Sequence, residues 1–389
     1  MKPQLLGAAL AAGLALAVPT PAEPASTPKG AVKVFILAGQ SNMEGLGGLR
    51  TLDALGAHPT QGALLQKIRN ADGSYVVRDD VFVFYKRGNE TIKAPLTVGM
   101  GAGKDRFGPE LGFGIGLGDW SAEPVLLIKT CWGGKDLYCD FRPPSAGKPA
   151  YEIPGKPREL GASYRKMIEE VRLCLANVDT DFPQLKGLPR QLCGFVWFQG
   201  WNDMCADRKI KPQVLDEYAS NFVHLVQDLR TELKAPSLPV VIGEVGVDGD
   251  ERVSPDMVQL RAAQSKIATR PELQGTLRYV RTGPFWYPEL DELPRKLAAE
   301  ERRVRQPIAA RIKEETKDKP VAAEPKKVEQ LIDAAVNKAL QEDQAYQQVR
   351  AEHDRHISHW ICHYQGSARV YALAGHAFAQ AMKELLPAK

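Results

Sequence analysis

A dominant charge of one sign is missing from this chain: 51 Lys and Arg face 47 Asp and Glu over 389 residues, a formal net charge of only +4. So balanced a composition carries no obvious electrostatic footprint for nucleic acid. Long apolar runs are missing beyond the first two dozen residues, which argues against a mature chain that spans a membrane. The six cysteines, Cys131, Cys139, Cys174, Cys193, Cys205 and Cys362, show neither CxxC nor zinc-ribbon spacing, so no structural zinc site is expected. HExxH is absent. So is GxSxG, because Met43 stands where the elbow of the α/β-hydrolases needs its second glycine. No internal repeat is apparent. What remains is ordinary globular usage, 44% hydrophobic and 25% charged, enough to bury a large core.

The N-terminus reads Met1-Lys-Pro-Gln, then an apolar run from Leu5 to Val18, then Pro-Thr-Pro-Ala. A short basic start, an apolar stretch too short to span and small residues after it are the layout of a secretory signal, with cleavage after Ala22 or Ala25. The expected product is a soluble exported protein, periplasmic or extracellular. The plainer alternative is a buried N-terminal helix. In an oxidising compartment an even set of cysteines suits disulfides, and free buried thiols are the competing reading.

Short apolar runs recur at Val32–Ala38, Val81–Tyr85, Val125–Thr130, Phe195–Phe198, Val240–Gly243 and Leu277–Arg281. Segments with helical spacing alternate with them, notably Leu160–Leu175, Val214–Leu233 and Met257–Ala268. Strands alternating with helices predict a parallel sheet covered on both faces, because each parallel crossover needs a helix-sized connection. The fold class expected is therefore a three-layer α/β/α sandwich. A stripe of Val370, Leu373, Ala374, Ala377, Phe378, Ala381 and Leu385 predicts a closing helix. Between about 289 and 357 the alternation fails. There a charged stretch with helical patterns at Leu290–Ile312 and Val328–Val349 reads as a helical hairpin inserted in one domain spanning 26–389; it could serve as a lid, an interaction arm or a solvated excursion.

Polar, glycine-containing loops follow three of the strands: Gly39-Gln-Ser-Asn-Met43, Cys131-Trp-Gly-Gly-Lys135 and Gln199-Gly-Trp-Asn-Asp203. In a parallel sheet such loops gather at the carboxyl edge, where ligands bind. Ser41, at the end of a buried strand and the start of a helix, is placed as a nucleophile would be, although serines there are commonly only caps. His363, on a turn before the last helix, has a side chain suited to general base work near neutral pH. Glu244, after its strand, could touch sugar hydroxyls or bridge loops, with the structural role favoured, and Gln264, Glu110 and Lys135 are similar cases. Trp132, Trp201 and Trp286 could stack on sugar faces or simply pack.

GQSNM after the first strand, then WGG, then a WxQG loop, then a late His before the final helix, resembles the SGNH-hydrolase superfamily. The closest likeness is to the sialate O-acetylesterase and carbohydrate esterase family 6 (acetylxylan esterase) group. It covers about 32–281 and 363–385 but not the charged insertion. The resemblance implies an SGNH- or flavodoxin-like fold and a serine esterase that removes acetyl groups from carbohydrate, with neither metal nor organic cofactor. Ser41 would attack, His363 would remove its proton, and the oxyanion hole would comprise the Ser41 N–H, an N–H of Gly133 or Gly134 and the Gln199 side-chain amide. Two departures matter. Family members often carry an acidic residue three before the histidine, where this chain has Trp360, and often read QGE, where this chain has Trp201. Asp203 is the first substitute for the missing acid; Asp354, or a Ser–His pair oriented by backbone or water, are others. Three competing functions stay open. The spacing of His353, His356, His359 and His363 allows a metal-assisted hydrolase, the missing acid allows a carbohydrate-binding protein without catalysis, and the same machinery serves lipid or thioester hydrolases.

Overall fold

The computed structural model describes residues 30–151, 158–251 and 253–387, so the export segment lies outside the described residues. Seven strands form the main sheet: β1 (Val32–Gly39), β2 (Val81–Arg87), β3 (Glu90–Pro95), β4 (Val125–Cys131), β5 (Arg190–Phe198), β6 (Val240–Glu244) and β7 (Leu277–Arg281). Their order is β3-β2-β4-β1-β5-β6-β7. Six of them coincide with the expected apolar runs. The seventh, β3, is a half-exposed edge strand that returns antiparallel on β2, and every other neighbouring pair is parallel. Its sequence, ETIKAP, lacks the continuous apolar run that marks a doubly covered strand.

Besides one short turn of helix at Asp53–Gly56, the helices are α1 (Ser41–Glu44), α2 (Pro109–Gly118), α3 (Ala162–Asp181), α4 (Trp201–Met204), α5 (Lys211–Glu232), α6 (Pro255–Ser265), α7 (Glu289–Thr316), α8 (Pro325–Glu342), α9 (Gln344–His356) and α10 (Ala368–Lys383). Alternate side chains of β5 reach opposite layers, as strand geometry requires. Trp197 meets Phe222 of α5 on one face, and Phe198 meets Phe378 of α10 on the other. The α/β/α sandwich expected from the alternation is the fold observed.

Helix α2 is unexpected. Its sequence, PELGFGIGLG, has glycine at every second position from 112, a poor helix former by propensity, yet all ten residues are buried. Packing decides it: a Cβ at Gly112 would lie 2.1 Å from the Ala372 carbonyl oxygen, and one at Gly375 would lie 2.0 Å from that of Pro109. Helices α2 and α10 thus touch backbone to backbone, an approach that larger side chains forbid.

The charged excursion is helical, as expected, but it contains α7, α8 and α9 rather than a pair. The expected second helix breaks at Asp343, whose carboxylate caps α9 by accepting the Tyr346 N–H at 2.9 Å and receives Arg303 at 2.6 Å. Ile312, Ile332 and Val336 form a small apolar cluster of its own. Helix α9 then runs back to the α/β domain, where Arg50 donates to the Ile357 carbonyl oxygen at 2.9 Å. Among the described residues no helix is long and apolar enough to cross a membrane, and all six cysteines are unpaired.

An ion pair lies wholly inside. Lys129 of β4 has no exposed side-chain surface, and its ammonium donates to the Glu110 carboxylate at 2.9 Å, the Met100 carbonyl at 2.7 Å and the Glu44 carbonyl at 2.9 Å. Removing one partner of such a pair strands the other charge. Lys129→Met is expected to lower the unfolding free energy by about 3–5 kcal/mol, read from urea denaturation, with part of the loss recovered in Lys129→Met/Glu110→Leu.

Candidate active site

Strand register brings the polar loops together. Gly39 of β1 pairs with Cys131 of β4 on one side and with Phe198 of β5 on the other, so the three central strands end at one level. Gly39 turns the chain there with φ +154°, and a Cβ on it would sit 2.2 Å from the Phe198 carbonyl oxygen. No other residue fits that turn. Helix α1 follows at once, with Ser41 as its first residue and only 9% exposed. The Ser41 N–H is one of the free donors of a helix start and has no acceptor among the described residues.

Each side chain around Ser41 ties α1 to a different part of the site. Gln40 Oε1 accepts the Gly200 and Asn202 N–H groups, both at 3.2 Å, which docks the β5 loop. Asn42 donates to the Cys362 carbonyl oxygen at 3.1 Å and accepts the Tyr371 hydroxyl at 2.7 Å, which docks the segment carrying His363. Glu44 accepts the Tyr85 hydroxyl at 3.3 Å and faces the Gly133 N–H; burial pushes its carboxyl up, and Lys129 draws it back. Ser41 itself reaches His363, with Oγ 2.9 Å from Nε2 across 322 positions of sequence.

The loop bearing His363 is strained and tightly tied. Tyr364, Gln365 and Gly366 have φ of 50°, 56° and 66°, a run of left-handed residues of which only the last is glycine. The buried Tyr364 hydroxyl accepts the Gly246 N–H at 2.7 Å and lies 2.7 Å from the Thr282 hydroxyl. The Gln365 carbonyl accepts the Ser358 and His359 N–H groups at 2.8 and 3.0 Å. The ring of His363 is therefore fixed from both ends. Its pKa is lowered to about 4, first by burial and then by His359 and Arg106. Its second nitrogen, Nδ1, lies 2.8 Å from Nδ1 of His359 and 3.5 Å from the Cys362 sulfur.

The sequence model of the family described as carbohydrate esterase, sialic acid-specific acetylesterase matches residues 31–275. The chain belongs to this carbohydrate esterase family. Among solved structures, a protein from Arabidopsis thaliana aligns with TM-score 0.40 and 16% identity over 65% of this chain and 86% of its own. A carbohydrate acetylesterase from Xanthomonas citri aligns with TM-score 0.41 and 16% identity over 64% of this chain and 49% of its own. No curated protein matches the chain by sequence.

In this esterase Ser41 and His363 meet as expected, whereas two other expected members are engaged elsewhere. Asp203 makes no bond to His363. It lies one helical turn beyond Gln199, fully buried, and its carboxylate accepts the Leu137 and Tyr138 N–H groups at 3.0 Å each and Gln199 Nε2 at 2.6 Å. Burial, with Asp136 nearby, raises its pKa, and the three donors oppose that. Gln199 in turn spends both amide hydrogens, one on Asp203 and one on the Lys135 carbonyl at 3.1 Å, while its oxygen accepts the Tyr218 hydroxyl at 3.1 Å. Its side chain has no exposure and no donor left for an oxyanion. The Gly133 N–H points at Glu44. The Gly134 N–H has no partner among the described residues, beside the Ser41 N–H in the same condition.

Asp354 pairs with His353 at 3.0 Å and Arg350 at 3.0 Å, away from His363. His356 is held by Glu352 and Tyr287, so the histidines three apart serve separate ends. Trp132 stacks on Phe141, and Trp286 packs toward Tyr364; Trp360, by contrast, is 74% exposed beside His359. Spacing from His363 could have drawn notice to His359, four residues earlier on the same loop. Nothing in the sequence marks Gln40 and Asn42 as ties. Asp203→Ala would leave three buried N–H donors without their acceptor, and a loss of about 2–4 kcal/mol is expected in urea unfolding.

Proposed function

We propose that the chain is an exported serine esterase that removes O-acetyl groups from carbohydrate through an acyl-enzyme. The observation that carries this reading is the 2.9 Å approach of Ser41 Oγ to His363 Nε2 on a rigid, half-buried loop. A neutral imidazole there accepts the hydroxyl proton as Oγ attacks the acetyl carbonyl carbon. Negative charge then develops on the former carbonyl oxygen, and the free N–H groups of Ser41 and Gly134 are the donors on hand to receive it. As the intermediate collapses, His363 returns the proton to the departing sugar oxygen. Water, deprotonated by the same imidazole, hydrolyses the acetyl-serine and releases acetate.

Carbohydrate as substrate is supported by the family and by the exposed Trp360 at the rim, since an indole face suits the apolar face of a sugar ring. Acetylated xylan-type polysaccharide and O-acetylated sialic acid are the two substrates to compare. Export is supported by the basic, apolar and small-residue layout of the N-terminus.

On a small aryl acetate, Ser41→Ala and His363→Ala are expected to lose at least ~10³-fold in kcat, and retention of turnover by Ser41→Ala would overturn the nucleophile assignment. Trp360→Ala is expected to raise KM several-fold on an acetylated oligosaccharide, with a much smaller effect on aryl acetate hydrolysis. Equal effects on both substrates would remove Trp360 from sugar recognition.

A further inference from the structure

We propose that His359 is the positioning residue of the Ser41–His363 pair, occupying through its own imidazole the place at which a carboxylate would orient the general base. This inference rests on the serine esterase reading given above. Four observations carry it. His359 Nδ1 is 2.8 Å from His363 Nδ1, within hydrogen-bond distance. The two rings meet edge to face, with centroids 4.6 Å apart and planes at 65°, so the shared contact runs along a ring edge rather than through stacked faces. Both rings are held by one small loop, because the His359 N–H donates to the Gln365 carbonyl two residues beyond His363. The acids that could have served, Asp203 and Asp354, are bonded elsewhere.

The proton positions follow from the contacts. Ser41 Oγ–H must donate to His363 Nε2 for that nitrogen to act as base, so His363 carries its own proton on Nδ1. That proton is donated to His359 Nδ1, which is then a bare acceptor, and His359 keeps its proton on Nε2. Each ring is thereby confined to one tautomer, and both are neutral in the resting site. When His363 takes the serine proton, the Nδ1–H bond to His359 strengthens on the imidazolium.

A neutral acceptor differs from a carboxylate in one measurable respect. It orients the base while stabilising the imidazolium far less than an anion would. Facing the two rings are Ser41, Cys362, Trp360, the Tyr371 hydroxyl on the His363 carbonyl, and Arg106, whose positive charge further disfavours protonation of either imidazole. Protonation of His359 would also turn an N–H toward the His363 N–H and break the pair. The site therefore needs both imidazoles neutral, and burial together with Arg106 lowers both below the ordinary histidine range. The acid limb of activity belongs to the pair rather than to one residue.

The test measures kcat, KM and the pH profile of aryl acetate hydrolysis for the full chain, beside His359→Ala, His359→Asn and His359→Asp, with Ser41→Ala as control. The wild type is expected to hold its kcat/KM plateau below the ordinary histidine range and to lose it in acid once either of the two lowered imidazoles protonates. His359→Ala is expected to lose at least ~10-fold in kcat with KM little changed, as when an orienting partner is removed from a catalytic histidine. His359→Asn keeps an acceptor and should retain more of kcat. His359→Asp should recover activity and move the acid limb upward by about one pH unit or more, because a carboxylate stabilises the imidazolium. Wild-type kcat in His359→Ala, or an unshifted limb in His359→Asp with activity no better than in His359→Ala, would overturn the assignment. If His359→Ala does not fold, His359→Asn and His359→Asp decide by the same criteria. Activity persisting in Ser41→Ala would instead overturn the serine reading, whereas an inactive Ser41→Ala beside an unaffected His359→Ala would sink this inference alone.

Discussion

An ammonium group with no access to water sits beneath the nucleophile, and much of the site is arranged around it. Glu110, two backbone carbonyls and the face of Tyr85, 4.4 Å away, surround Lys129 and replace the water it has lost. One of those carbonyls closes the short helix α1, and the carboxylate comes from the first turn of α2. A buried ion pair contributes little net stability, but it tolerates few alternative arrangements of its neighbours. Here it links β4, α1 and α2 at a single point, three residues beyond Ser41.

From that point the geometry spreads outward through polar ties that all start in one pentapeptide. Gln40 holds the loop after β5, Asn42 holds the segment with His363, and Glu44 holds the loop after β4. The nucleophile is thus the middle of a clamp whose jaws come from strands far apart in sequence. Gln199 and Asp203 of the β5 loop bond to each other and to the Lys135–Tyr138 segment, which makes them a brace for the wall of the site. The charged excursion joins the same system. Its last helix, α9, ends where the loop with His359 and His363 begins, so the path of this arm fixes the direction from which the imidazoles approach Ser41.

Most of the sheet was legible because a doubly covered parallel strand must be apolar along most of its length, and the runs at β1, β2, β4, β5 and β6 stand out. The edge strand β3 faces solvent and so has no such signature. Helix α2 was hidden by its glycines, since propensity argues against a helix that exists to let α10 come close. The break between α8 and α9 hung on whether Asp343 would cap a new helix or ride within an old one, a choice that Arg303 and the turn geometry make. In the site, Ser41 and His363 were readable from position at strand and helix ends together with the family motif. Asp203 and Gln199 bond elsewhere than expected because residue type does not reveal whom a side chain bonds, and these two satisfy each other.

The sequence by itself determined the layering of the fold, the gathering of glycine-bearing loops at one sheet edge, the family and the serine and histidine that face each other. Those follow from local pattern: apolar period, turn chemistry and motif. Tertiary structure alone decided which groups the imidazole of His363 meets, which N–H donors beside Ser41 stay free and which tryptophan is exposed to solvent. Those depend on hydrogen bonds and packing between residues hundreds of positions apart, and a buried polar group takes whichever partner the fold brings within about 3 Å, not the one its neighbours in sequence suggest.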